Sequence, residues 1–324
     1  MKTKRFFAAL LTLAVFFGAM AQSAAMAATE PAGQVKATAA MDAPKVQSNW
    51  FGSQLRGSEK VFYNALCALR DNGGLATGSA AIDLMKGNFA GEKLTSGELK
   101  AYFDGDRSLV GAFQAGRDAF AYDNADLFYM DYSKLTLRVG KSGGNFSAKL
   151  GPKGDGNYLK SGFSSASDVA GAISASRDAV RAIASQAKKE SSLRDQLKAA
   201  HDAVALRSSY AEGAYDSGVY GTLVKGGAVC EGYARSYKAV LDEMGIPCVL
   251  VAGRSDRDES HMWCEVQVDG SWLAVDPTWD DASSGGGVRY EYFLQGSGAF
   301  TASHIASGVL SPNGTNFQYP ALAA

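Results

Sequence analysis

The stretch 226–281 constrains the fold of this chain most, because a helix start, a helix stop and a hairpin signal follow one another there. A helix is predicted over 230–244, since Gly245-Ile246-Pro247 puts a glycine just past the last turn and a proline soon after it. Apolar segments of strand length come next, and Asp269-Gly270 is a tight-turn signal between two of them. The pattern therefore predicts a helix followed by an antiparallel sheet.

Apolar spacing and turn residues predict the other elements in the same way. The predicted helices are 59–70, 112–121 and a long alanine-rich helix at 167–206. The predicted strands are 126–132, 135–139, 145–150, 248–253, 261–268, 272–276 and 291–294. Because helices precede a small sheet in the first half and a second sheet follows, we predict the α+β fold class.

The N-terminus has the pattern of a secretory signal peptide. Lys2, Lys4 and Arg5 precede the apolar run 6–17, which is shorter than the roughly 20 residues that a spanning helix needs. Two small-residue cleavage sites follow, Ala19-Met20-Ala21 and Ala25-Met26-Ala27, and we expect cleavage after Ala27, with Ala21 as the alternative. With no transmembrane segment and no lipid or sorting anchor in view, we expect a secreted or extracytoplasmic protein.

A chain of 324 residues exceeds the usual size of one domain, so we expect more than one region. The predicted regions are a signal peptide (1–27), a flexible leader (28–48), an N-terminal α+β region (49–165), the region of the Cys230 helix (166–300) and a C-terminal tail (301–324). Whether 28–48 acts as a propeptide stays open.

Charge and cysteine content exclude several classes of protein. The net charge of −1 with scattered basic residues gives no footprint for nucleic acid or for an anionic membrane. Four cysteines without a CxxC pair suggest neither a disulfide scaffold nor zinc. Cys248 and Cys264 are one candidate bridge because they lie on consecutive predicted strands; free thiols at Cys67, Cys248 and Cys264 are the alternative. We expect no metal and no cofactor.

One cysteine, one histidine and one aspartate occupy the settings that thiol catalysis needs. Cys230 lies at a helix N-terminus, where free backbone amides and the helix dipole favour thiolate over thiol. His261 opens a strand and shares a face with Trp263. Asp276 closes the neighbouring strand, where its carboxylate can orient the imidazole. We therefore predict Cys230 as nucleophile, His261 as general acid and base, and Asp276 as its orienting partner.

Further site residues follow from this prediction. The backbone amide of Cys230 is a candidate oxyanion donor, and Tyr220 is a candidate second donor. Trp263 and Trp279 are predicted as core or cleft wall. Alone, Cys230 or His261 would more often be structural; together with Asp276 they favour a site.

The remaining histidines and acidic residues lack such settings. His201 is expected on a solvated helix face, and His304 lies in a tail with no partner in view. Asp280-Asp281 is expected to end a strand rather than to bind a metal.

Three motifs resemble those of the transglutaminase-like superfamily: Val229-Cys230-Glu231-Gly232-Tyr233-Ala234, His261-Met262-Trp263 and Asp276-Pro277-Thr278-Trp279-Asp280-Asp281. The likeness covers about 196–296 and is of the kind found in secreted bacterial members. It implies a papain-like core, with the helix that bears the cysteine packed on an antiparallel sheet. It also implies the same roles for Cys230, His261 and Asp276.

The resemblance leaves the reaction open, because superfamily members include peptidases, amidases, deamidases, cross-linking acyltransferases and non-catalytic binders. We predict a cysteine peptidase or amidase that acts on protein or peptide amide bonds through a thioester. A glutamine–lysine transglutaminase and a non-catalytic scaffold for peptides or surfaces are the alternatives. The expected partner is a protein or peptide substrate, with cell-surface or cell-wall peptides as candidates; the oligomeric state is unknown.

Overall fold

A computed structural model describes residues 49–154, 156–281, 287–307 and 316–324. The predicted signal peptide (1–27) and leader (28–48) lie outside these residues. Within the described ranges, no helix combines the length and the apolar character needed to cross a membrane.

The described chain contains both helices and strands. The α-helices are α1 (Gly57–Asp71), α2 (Ser96–Phe103), α3 (Ser108–Asp123), α4 (Ala166–Ala187), α5 (Leu193–Ala205), α6 (Cys230–Met244) and α7 (Ser297–Phe300). The strands are β1 (Ile82–Asp83), β2 (Leu135–Ser142), β3 (Asn145–Pro152), β4 (Ser209–Tyr210), β5 (Gly227–Ala228), β6 (Cys248–Ser255), β7 (Ser260–Val268), β8 (Ser271–Val275) and β9 (His304–Ala306). These elements confirm the α+β class.

The strands form three sheets. The order β1-β3-β2 gives an antiparallel sheet in the first half of the chain, and β4 pairs with β5 in parallel. The second half holds the antiparallel four-stranded sheet β8-β7-β6-β9. In this sheet Gly253 of β6 pairs with His261 of β7 and with Ala306 of β9, so the start of β7 and the edge strand β9 flank the same glycine.

Helix α6 packs on the four-stranded sheet, as the family resemblance implies for the helix that bears Cys230. The buried side chains of Tyr233, Tyr237 and Leu241 belong to the same apolar core as the buried residues of β6 and β7. The Cys264 thiol of β7 donates to the carbonyl of Ala234 at 3.2 Å, which joins strand and helix directly. The helix ends at Gly245, whose φ of 80° is the left-handed conformation that glycine adopts readily.

Two predicted strands are wrong. The apolar residues of 126–132 are buried on successive positions, so they pack into the core as turns, and only Met130 makes an isolated bridge, to Leu159. In 291–294 the backbone turns, and Leu294 has a φ of 52° that no strand permits. Apolar composition predicted burial correctly in both cases, but not extended backbone.

The helix predicted at 167–206 is two helices, α4 and α5. Ser192 ends the break between them, because its hydroxyl accepts a hydrogen bond from the amide of Asp195 at 3.1 Å and caps α5. The pattern Ser192-x-x-Asp195 is therefore the sequence signal for this boundary. The prediction of one helix followed the alanine-rich composition of 167–206 and did not take this capping pattern into account.

Part of the predicted C-terminal tail lies on the four-stranded sheet. Strand β9 pairs with β6 at the sheet edge. Farther along, the amide of Ala323 donates to Trp272 O at 2.9 Å, and Phe317 packs edge-on against Phe51. The chain ends of the described region therefore meet beside the sheet. The predicted boundaries at 165/166 and 300/301 stay predictions.

Candidate active site

Helix α6 begins at Cys230, so this side chain lies at the positive end of the helix dipole. Val229 is extended and caps the helix, and its carbonyl accepts from the amides of Gly232 and Tyr233 at 2.9 and 3.2 Å. The amides of Cys230 and Glu231 are helix-start donors with no acceptor earlier in the helix. Cys230 is half-buried, so its thiol can meet both these amides and an incoming substrate.

Residue 232, in the first turn of α6, is a glycine because the preceding loop lies directly on the start of the helix. The amide of Val229 donates to Asp216 O at 3.0 Å. A Cβ at Gly232 would lie 2.2 Å from the same carbonyl oxygen. Only glycine therefore lets the loop around Asp216 approach the turn that presents Cys230.

His261 and Asp276 come from neighbouring strands. His261 is 9% exposed at the start of β7, and Asp276 is fully buried just past the end of β8. His261 Nε2 lies 2.6 Å from Asp276 Oδ2, and since an ionised carboxylate only accepts, Nε2 carries the donated proton. The other ring nitrogen, Nδ1, makes no bond to Asp276, and Cys230 lies close enough to influence the charge of this ring.

The turn after β8 holds the Asp276 carboxylate. The amides of Thr278 and Trp279 donate to Asp276 Oδ1 at 2.9 and 3.4 Å. This local turn is typical of aspartate, whose short side chain bonds to backbone two or three residues on. The Asp-Pro-Thr-Trp motif therefore fixes one carboxylate oxygen and leaves Oδ2 for imidazole.

A second histidine, which the sequence left without a partner, bonds to the same carboxylate. His304 of β9 lies with Nε2 3.1 Å from Asp276 Oδ2, and its side chain is fully buried. No local signal marks it, because the contact depends on β9 pairing with β6. The expectation that His304 has no partner is therefore wrong.

Charge and burial oppose each other in this cluster. Burial disfavours a charged ring at His261, but the Asp276 carboxylate and, to a smaller extent, Cys230 outweigh it and raise the pKa of His261 from 6.5 to about 10. Burial alone would raise the pKa of Asp276, yet His261 and His304 hold it well below its ordinary value. The arrangement thus favours an imidazolium next to the thiol.

The same three side chains could be considered as metal ligands, because the ligand atoms of His261, Asp276 and His304 lie within 4.8 Å of one another. Two ligands on a tetrahedral zinc ion would be about 3.3 Å apart. The His261–Asp276 separation of 2.6 Å is shorter and is that of a charge-assisted hydrogen bond. The donor set therefore fits a hydrogen-bonded cluster better than a zinc site.

The two tryptophans differ in position. Trp263 is 2% exposed and packs with Val251, Ala274 and Phe300, which is the core alternative that the sequence left open. Trp279 is partly exposed and lies with its ring centroid 5.1 Å from that of His261. A role for Trp279 as cleft wall stays a prediction.

Tyr220 packs in an aromatic cluster. Its ring stacks on Phe128 at 5.7 Å and contacts Phe163 and Tyr215 at 6.1 and 5.1 Å. These contacts account for its position without reference to the thiol. Its predicted role as a second oxyanion donor stays a prediction.

The second half of the Asp-Pro-Thr-Trp-Asp-Asp motif is structural. Asp281 Oδ2 accepts from the Tyr233 hydroxyl of α6 at 2.7 Å, and Asp280 Oδ2 lies 3.3 Å from His201 Nε2 of α5. His201 is fully buried, so the expectation that it lies on a solvated face is wrong. Tyr237, Tyr290 and Phe293 surround its ring, because α5 packs this face inward.

Exposed carboxylates lie near the Tyr210 side chain, which also interacts with Cys230. Partial burial and then repulsion from Cys230, Glu212 and Glu259 raise the pKa of the Tyr210 hydroxyl. Both glutamates are exposed, and they come from different segments of the chain. Tyr210 therefore lies within electrostatic reach of the thiol and of two exposed carboxylates.

The cysteines are free thiols. Cys248 and Cys264 are buried, while Cys67 and Cys230 are half-buried. Burial is the largest influence that raises the pKa of Cys264, and a bond to Cys248 acts in the same direction. The candidate bridge between Cys248 and Cys264 is therefore absent in this structure, although the two side chains are neighbours.

Residues 177–277 match the family model of the transglutaminase-like superfamily. This match confirms the predicted resemblance and includes Cys230, His261 and Asp276. A comparison with curated proteins gives no match.

Three solved structures match part of this chain. A TGase shares 20% identity over 45% of this chain and 45% of its own, with a TM-score of 0.32. A candidate cysteine protease from Cytophaga hutchinsonii shares 14% identity over 44% of this chain and 62% of its own, with a TM-score of 0.29. The periplasmic domain of TgpA from Pseudomonas aeruginosa, bound to ethylmercury, shares 18% identity over 46% and 66%, with a TM-score of 0.26. The chain thus spans less than two-thirds of the first two structures.

Proposed function

We propose, from the premise that residues 177–277 form a transglutaminase-like domain, that this chain is a cysteine enzyme that hydrolyses amide bonds of proteins or peptides. The observation that carries the proposal is the buried His261–Asp276 pair, with Cys230 close enough to influence the charge of the His261 ring. A thiol, a ring and a buried carboxylate in this order are what nucleophilic catalysis on an acyl group needs. The N-terminal signal pattern supports action outside the cytoplasm, on cell-surface or cell-wall peptides.

The reaction begins with the Cys230 thiolate and the His261 imidazolium. Sγ attacks the amide carbonyl carbon, and the backbone amide of Cys230 donates to the oxyanion that forms. His261 Nδ1 gives its proton to the leaving amine as the C–N bond breaks, which leaves a thioester on Cys230. Asp276 keeps Nε2 protonated, so that Nδ1 is the nitrogen that transfers the proton.

Water completes the cycle. His261 Nδ1 takes a proton from a water molecule whose oxygen attacks the thioester carbonyl, and the thiolate leaves as the carboxylic acid is released. Water needs no binding site of its own, which places hydrolysis first. Transfer to an amine is the second candidate, because the exposed carboxylates of Glu212 and Glu259, which act on Tyr210 together with Cys230, would attract a cationic substrate group.

The test is incubation of the mature protein and its Cys230→Ala variant with a mixed protein substrate and a labelled primary amine. Mass spectrometry follows peptide cleavage, ammonia release and amine incorporation. Cys67→Ala is the matched control, because Cys67 is also half-buried but lies on α1. We expect cleavage or ammonia release that Cys230→Ala abolishes and Cys67→Ala retains.

Other results separate the alternatives. Amine incorporation that depends on Cys230 would replace the hydrolase with a transglutaminase. Equal results for wild type and Cys230→Ala, over several substrates, would reject catalysis and favour a scaffold that binds peptides or surfaces.

A further inference from the structure

Two imidazole rings meet at one carboxylate oxygen. Asp276 Oδ2 lies 2.6 Å from His261 Nε2 and 3.1 Å from His304 Nε2. Because an ionised carboxylate can only accept, both nitrogens carry protons that point at Oδ2. His304 lies beyond residues 177–277, the part of the chain that matches the family model. The chain therefore brings a second donor to Asp276 from outside that match.

The surroundings of His304 favour a polar role over a packing role. Its ring stacks on Phe300 at 3.9 Å and contacts Trp279 and Trp263 at 4.4 and 5.0 Å. A buried imidazole among aromatic rings costs free energy unless its nitrogens are bonded, whereas a phenyl ring would pack there without that cost. Both nitrogens are bonded, since Nδ1 lies 2.9 Å from Ser303 Oγ and Nε2 faces Asp276.

The second donor completes the set of bonds that holds the carboxylate. The backbone amides of Thr278 and Trp279 hold Oδ1. Oδ2 is bonded by His261, whose ring changes charge in the proposed reaction, and by His304, whose other ring nitrogen contacts Ser303. The bond from His304 keeps the orientation of the Asp276 carboxylate, and its hydrogen bond to His261, unchanged when the His261 ring changes charge.

We propose that His304 is a positioning residue of the site: its Nε2–H holds Asp276 Oδ2 in line with His261, so that His261 Nδ1 stays directed at Cys230. This inference rests on the proposed function for the meaning of the site. It acts through Asp276 and makes no contact with substrate. The edge strand β9 is thereby part of the catalytic apparatus and not only of the sheet.

The test separates the donor from the ring. His304→Phe keeps an aromatic ring in the stack but removes the donor, and His304→Gln puts an amide N–H near the position of Nε2. Ser303→Ala is a milder variant that removes only the partner of Nδ1. Thermal unfolding shows which variants fold.

The readouts need no substrate. Iodoacetamide alkylation of Cys230 is followed from pH 5 to 8 by mass spectrometry, with Cys67 in the same protein as reference, and the imidazole N–H signals are observed by NMR on ¹⁵N-histidine-labelled protein. We expect His304→Phe to slow Cys230 alkylation below pH 7 by roughly 10- to 100-fold and to broaden the His261 Nε2–H signal, with His304→Gln within about threefold of wild type. Ser303→Ala should give a smaller loss in the same direction.

These measurements test the positioning role of His304 whether or not the proposed function is correct. Wild-type alkylation and N–H signals in a folded His304→Phe variant would overturn the positioning role, as would equal losses in His304→Phe and His304→Gln. If a Cys230-dependent turnover is found, its kcat should fall in His304→Phe with KM unchanged. Turnover that is unaffected would reject the inference and leave the proposed function standing.

Discussion

At the residue scale, Asp276 sets the charge of His261. Burial lowers the pKa of the ring, and the Asp276 carboxylate is the largest influence that raises it to about 10. Asp276→Asn removes that attraction while burial remains, so the His261 pKa should fall from about 10 toward or below 6.5. An NMR titration of the His261 ring measures this, with His201 as internal reference because other carboxylates face it.

The same substitution should reduce any Cys230-dependent turnover by roughly 100- to 10,000-fold, because the productive tautomer is no longer held. A His261 midpoint that stays near pH 10 in Asp276→Asn would show that another group holds the charge.

A second residue, Glu265, ties stability to pH. Burial raises the pKa of Glu265 from 4.5 to about 8. The folded protein then binds a proton that the unfolded chain releases between these values, so unfolding free energy falls as pH rises through this window, at up to about 1.4 kcal/mol per pH unit. Glu265→Gln removes the ionisable group, and its urea unfolding should lose this part of the pH dependence.

His261 also makes the unfolding free energy fall as pH rises, although its protonated form is charged whereas that of Glu265 is neutral. Its raised pKa adds stability that is present below pH 6.5 and is lost as pH rises through about 10. The difference between wild type and Glu265→Gln between pH 5 and 8 isolates the glutamate. Parallel stability curves for the two proteins would mean that Glu265 is ionised in the fold.

At the element scale, Gly253 lets β9 approach the sheet. A Cβ there would lie 2.3 Å from Ile305 O of β9 and 2.5 Å from Cη2 of Trp263. Gly253→Ala should therefore push β9 outward, cost about 1–3 kcal/mol of stability by overpacking and slow Cys230 alkylation as His304→Phe does. Unfolding curves and the alkylation rate measure the two effects.

The matched control is Gly171→Ala within α4, where an added Cβ meets nothing within 4 Å. It should stabilise the protein by about 0.5–1 kcal/mol, because alanine is the better helix former. A Gly253→Ala variant that is destabilised but alkylates at the wild-type rate would separate the packing of β9 from the geometry of the site.

At the scale of the whole molecule, the site and the exposed carboxylates near Tyr210 are assembled from distant segments. Glu212 follows β4 and Glu259 precedes β7, yet both act on Tyr210 together with Cys230. We expect them to slow anionic reagents at the thiol. The double variant Glu212→Gln/Glu259→Gln should raise the rate with iodoacetate relative to neutral iodoacetamide by roughly twofold to fivefold at low ionic strength.

Salt provides the control for this effect. The gain should shrink as ionic strength rises, because exposed charges are screened. An unchanged ratio of the two rates at low salt would show that the glutamates do not influence the approach to Cys230, and it would remove the reason for expecting cationic substrates.

Local sequence was sufficient for the helix and hairpin that carry the site. The bounds of α6 follow from the cysteine motif and from Gly245, and the turn between β7 and β8 follows from Asp269-Gly270, where φ is 49° and 83°. These signals are local because caps and tight turns depend on the conformation of a few neighbouring residues. The family resemblance rests on the same segment and was confirmed there.

Only the tertiary structure decided the contacts between residues that lie far apart in the chain. His304 bonds to Asp276 because β9 pairs with β6, and His201 is buried because α5 packs toward Asp280. The apolar run at 126–132 folds as turns because the core accepts its side chains from several sides. Periodicity reports which residues are apolar, whereas the partner of a buried polar group depends on packing that no short segment contains.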